Sequence, residues 1–61
     1  MDPLIRNLHD PDWYVRYAAA DALGKIGDVR AAGPLAQATR DKDECVRNAA
    51  SAAMKRNSWT G

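Results

Sequence analysis

Few residues in this chain are of the types that do chemistry, and their spacing argues against it. The 61 residues hold one cysteine, Cys45, and one histidine, His9. A single cysteine makes no internal disulfide, and no histidine lies near it in sequence to serve as its base. Cys45 is therefore read as a reduced, partly buried small apolar residue. His9 is read as a solvated or capping residue in a turn. The sequence contains no His/Cys cluster with metal-ligand spacing, no glycine-rich phosphate loop and no nucleophile–base pair. The expectation is a chain that is not an enzyme and takes no cofactor and no metal.

Charge is the next resource. Net charge is +1, but it is unevenly spread. Residues 1–29 set Arg6, Arg16 and Lys25 against Asp2, Asp10, Asp12, Asp21 and Asp28, a net −2. Residues 30–61 set Arg30, Arg40, Lys42, Arg47, Lys55 and Arg56 against Asp41, Asp43 and Glu44, a net +3. Halves of opposite sign suit self-association in which one half meets the other. The basic half also offers a second reading, weak binding to a nucleic-acid backbone through Arg40, Lys42, Arg47, Lys55 and Arg56. Asp41, Asp43 and Glu44 interrupt that patch, and a dedicated binder is more basic, so nucleic acid is the lesser expectation. The opening Met-Asp-Pro carries no basic or apolar leader, and no apolar run is long enough to span a bilayer. A cytoplasmic location away from the membrane is expected.

The elements that position these residues follow from an internal repeat. Shifted by 31 residues, the chain lands on itself. Pro3 falls on Pro34, Leu4 on Leu35, Asp10 on Asp41 and Asp12 on Asp43. Val15 falls on Val46, Arg16 on Arg47, Ala18 on Ala49, Ala19 on Ala50 and Ala22 on Ala53. A self-similar period of this size signals stacked helical hairpins. Pro3-Leu4, Asp10-Pro11-Asp12 and the run VRYAAADALGKIGD from Val15 to Asp28 resemble the HEAT-like repeats named after phycobilisome lyases. The second copy keeps the opening and middle of that pattern, but its LGKIG becomes MKRNS at Met54 to Ser58. The resemblance implies an all-α fold, an α-solenoid of two hairpins and four helices. Repeat 1 spans about residues 3–27 and repeat 2 about 28–58.

In chain order, Asp2 is placed to cap a first helix that has Pro3 in its first turn. Pro11 forbids a continuous helix, and Asp12 caps the second. On a wheel of about 100° per residue, Val15, Ala18, Ala19, Ala22 and Ile26 fall on one face, with Leu23 beside it. That face is read as core, with Gly24 and Gly27 ending the helix and Asp28 capping the third. The third helix, about 29–40, offers Ala32, Leu35, Ala38 and Thr39, with a kink expected near Gly33 from Pro34. The fourth, about 44–57, buries Val46, Ala49, Ala50, Ala53 and Met54. Thr39 and Asn57, where repeat 1 has Leu8 and Ile26, read as polar drift toward a wet outer face. Residues 58–61 read as a frayed end, with Trp59 able to fold back.

Trp13 and Tyr17 lie one turn apart on the face opposite that expected core, and Ala20 and Gly24 continue it. In HEAT-type solenoids the second helix of each pair lines the concave surface where partners bind. By resemblance, Trp13, Tyr17, Ala20, Glu44, Asn48, Ser51 and Lys55 would line that surface. Exposed tryptophan and tyrosine are favoured anchors there. The resemblance also gives Asp10 with Arg16, and Asp41 with Arg47, the part of a ladder between neighbouring repeats, a structural role suited to the bidentate arginine fork. Metal-binding members of the wider group use His-Glu pairs near the start of the second helix. Here those places hold Arg16-Tyr17-Ala18 and Arg47-Asn48-Ala49. The expected function is a protein-interaction scaffold, partnered by itself as a homo-oligomer or by another protein.

Overall fold

A pair of aspartates starts each long helix. The computed structural model describes residues 3–27 and 29–57. Helix α1 is Pro3–Asn7, α2 is Trp13–Ile26, α3 is Ala32–Ala38 and α4 is Glu44–Asn57, with one 3-10 turn at Val29–Ala31 before α3. Before α2, Asp10 Oδ1 accepts the Asp12 N–H at 2.8 Å, and Asp12 Oδ1 accepts the Tyr14 N–H at 2.9 Å. Before α4, Asp41 Oδ1 accepts the Asp43 N–H at 2.8 Å. Asp43 Oδ1 then accepts from Cys45 and Val46 at 2.8 and 3.2 Å. These bonds satisfy donors that a helix start otherwise leaves bare. The described chain is all-α, two helical hairpins in the manner of HEAT repeats, with no strand among the described residues.

Helix α2 ends at Gly27, whose φ of 73° and N–H bond to Leu23 O make the left-handed stop expected there. The expected third helix is shorter at both ends. Pro34 has no N–H to give to the carbonyl four residues back, so the preceding turn winds as 3-10 and the α-helix starts at Ala32. Pro34 then sits in the first turn, where a missing donor costs little. The expected caps at Asp2 and Asp28 and the reading of residues 58–61 lie outside the described residues.

The core is small and rich in alanine. Its largest fully buried side chains are Leu23, Leu35 and Val46, joined by Leu8 and by alanines from α2 and α4 among others. Leu4, Ile5, Ala49 and Met54 pack against it. On α4 the buried face is the expected one. On α2 it is not: Ala19, Ala20, Leu23 and Gly24 are inside, with Arg16, while Ala18 is exposed and Ile26 is 61% exposed. The true inner face of α2 is turned by roughly a quarter to a third of the circumference from the expected one. Two further expectations fall with it. Gly24 does not end α2; it is the point where α2 and α4 touch. A Cβ there would stand 2.7 Å from the Ala53 Cβ and 3.0 Å from its Cα. Asn57 is not a wet residue but donates Nδ2 to the carbonyls of Gly24 and Ala53, both at 2.9 Å, tying the end of α4 to α2.

Gly24→Ala puts a methyl group into the Ala53 backbone, and a helix cannot yield there as a flexible side chain would. Overpacking outweighs the gain in helix propensity, so a net loss of roughly 1–2 kcal/mol is expected. Urea unfolding followed by the helical circular dichroism signal checks it.

Candidate functional site

One arginine is shared between the two hairpins. Arg16, on α2, is almost buried, which an arginine tolerates only when its donors are met. Its Nη1 donates to the carbonyls of Asp10 and Pro11 at 2.7 and 3.1 Å, so it braces its own turn. Its Nε and Nη2 donate to Asp41 Oδ2 and Oδ1 at 2.8 and 3.2 Å, so it reaches the turn of the next hairpin. The ladder expected from the repeat therefore runs from arginine to the aspartate 25 residues on, with the near turn supplying carbonyls. The side chains are 9% and 13% exposed. Arg47 copies the near half: its Nη1 donates to the carbonyls of Asp41 and Lys42 at 2.9 and 3.1 Å.

Burial pushes the Asp41 carboxyl up. The bond from the Asp43 N–H, the hydrogen bond and charge of Arg16 and the charge of Lys42 together outweigh it and hold the pKa below the ordinary 3.8. The pair joins one hairpin to the next electrostatically.

The expected surface residues separate into two groups. Trp13 and Tyr17 are exposed, at 45% and 37%, as is Tyr14 at 60%. The Trp13 and Tyr14 rings meet edge to face at 5.7 Å, and the Tyr14 and Tyr17 rings are 6.0 Å apart. Tyr14 was not singled out in the sequence, although its place beside Trp13 and three residues before Tyr17 puts all three within one turn of helix. Glu44, Asn48, Ser51 and Lys55 are exposed on α4. Ser51 and Lys55 share an open groove of about 500 Å³ with Ala36, Gln37, Thr39 and Arg40 of the α3 region. Ala20 is different. It is fully buried and belongs to the core, so it lines no exposed surface, and Gly24 beside it is buried too. Cys45, expected partly buried, is exposed in the first turn of α4, and His9 is exposed in its turn as expected.

Among the described residues no cluster of His, Cys, Asp and Glu is arranged to hold a metal ion, and no helix is long and apolar enough to cross a membrane. Residues 1–55 match a family model described as HEAT repeats. No curated protein matches the chain significantly.

Two outcomes follow for the shared arginine. Arg16→Ala is expected to cost about 2 kcal/mol, below a fully buried pair because both side chains keep some access to water. Because Asp41 has a folded pKa below its unfolded one, its contribution is present above 3.8 and is lost as pH falls through the folded value. Urea midpoints at successive pH values should therefore drop more steeply on acidification in the wild type than in Asp41→Asn.

Proposed function

The chain belongs to the HEAT-repeat family, and from that premise we propose that it is a non-enzymatic interaction module that binds protein, itself included. HEAT repeats generally mediate contacts between proteins. The observation that carries the reading is the exposed cluster of Trp13, Tyr14 and Tyr17 at the start of α2. Three rings linked through Tyr14, which meets both Trp13 and Tyr17, offer a large, stiff apolar area at low entropic cost, as interface anchors do. Glu44, Asn48, Ser51 and Lys55 add a polar surface on α4, the rim composition usual around such anchors. Self-association is favoured by the thin core. Chains of this size bury a smaller fraction of their surface than larger domains do, and docking adds what the interior lacks.

Arg40 and Lys55 share one groove, which supports backbone contact with nucleic acid as the second reading. Salt separates the two. Phosphate contacts give a steep log–log loss of affinity with salt, whereas aromatic anchors do not.

Replacing Trp13 and Tyr17 together by alanine is expected to weaken self-association or partner capture at least about tenfold, with the helical signal kept. Loss of the helical signal in that variant would instead make the rings part of the fold and end the proposal. Duplex DNA is expected to show no retention of the wild type at physiological salt.

A further inference from the structure

The two ends of this stack are the two halves of a seam that the chain already contains once. Inside the molecule, Arg16 of α2 meets Asp41, and Gly24 meets Ala53 and Asn57, of the second hairpin, with Ala20 buried on the same side of α2. The 31-residue repeat places a second set of each half on the outside. Arg47, Ser51 and Lys55 occupy on α4 the places of Arg16, Ala20 and Gly24. Asp10, Ala22 and Ile26 occupy in the first hairpin the places of Asp41, Ala53 and Asn57.

Both outer halves are prepared and unfinished. Arg47 is already held by its Nη1 on the carbonyls of Asp41 and Lys42, as Arg16 is on those of Asp10 and Pro11. Its Nε and Nη2, the atoms that Arg16 gives to Asp41, have no acceptor among the described residues. Asp10 is turned like Asp41, with Oδ1 on the N–H two residues on. Its Oδ2, the atom by which Asp41 takes the Arg16 Nε, accepts nothing among the described residues. At the far end of α2, Ile26 leaves 61% of its surface in water. An arginine fork fixed at its base loses little entropy in taking a carboxylate.

We propose that a second copy of this chain stacks head to tail on the first, with Arg47 of one copy gripping the Asp10 carboxylate of the next. The contact rests on the self-association proposed above and gives it a geometry. Opposite net charges of the two halves favour that orientation over head to head. Lys55 sets the limit. It stands where the inner seam has Gly24, a position with no room for a Cβ. The seam between copies is therefore wider than the one inside and weaker. A head-to-tail contact leaves one half free at each end of a dimer, so it grows past the dimer, into an open stack or a ring.

Sedimentation equilibrium of the full chain tests it. The wild-type average mass should rise with concentration without stopping at two subunits. Asp10→Arg alone and Arg47→Asp alone should each lower association at least about tenfold, with the helical signal unchanged, and an equimolar mixture of the two should regain it. Lys55→Gly should tighten association by about tenfold, because it restores the inner seam. A wild type that stays monomeric overturns the proposal, and so does failure of the mixture to recover mass from helical single variants. If the charge reversals leave mass unchanged while Trp13→Ala with Tyr17→Ala lowers it, the head-to-tail geometry falls and the aromatic surface stands.

Discussion

One guanidinium holds the two hairpins in register. Arg16 lies between the turn that precedes its own helix and the turn that precedes α4, and it bonds to both. A planar fork on a carboxylate fixes angle as well as distance, which a contact between alanines does not. The alanine and glycine faces of α2 and α4 let the helices come close, and Gly24 against Ala53 brings them to the limit. Close approach buries little area per residue, so much of the specificity of the stack rests on polar bonds at its two edges. Arg16 with Asp41 sits at one edge and Asn57 on the Gly24 carbonyl at the other.

A helix in such a stack has two neighbours to meet, one on each side, as well as its own hairpin partner. Repeat arrays are built this way, each unit touching only the next. In α2 the side that meets the following hairpin is covered, by way of Ala20 and Gly24. The side carrying Ala18 and Ile26 is open. In α4 the pattern is reversed: Ala53 and Asn57 meet α2, while Ser51 and Lys55 face water. The same helix face is therefore interior in one repeat and surface in the other. The aromatic residues stand where α2 begins, and the Tyr14 ring contacts those of both Trp13 and Tyr17.

HEAT repeats generally mediate contacts between proteins; in this chain the arginine with the most side-chain bonds given joins one repeat to the next. The Asp41 carboxyl, held below the ordinary carboxylate pKa by the Asp43 N–H, Arg16 and Lys42 against the opposing effect of burial, is suited to an ion pair.

Much was legible in the residues alone. The period of 31, the Asp12 cap, the break at Pro11 and the Gly27 stop act through local backbone chemistry, which spacing reports directly. So did the inner face of α4, where one run of Val46, Ala50 and Ala53 points one way. The inner face of α2 was not legible, because Ala18, Ala19, Ala20 and Ala22 spread small residues over both sides of its wheel and leave it no strong direction. Ile26 drew the expected core toward the wrong side, and with it Ala20 was taken for surface. Which alanine is buried depends on which neighbour is present. Tertiary packing decided that, because a methyl group fits inside or outside a helix seam almost equally well, and only the position of α4 distinguishes the two.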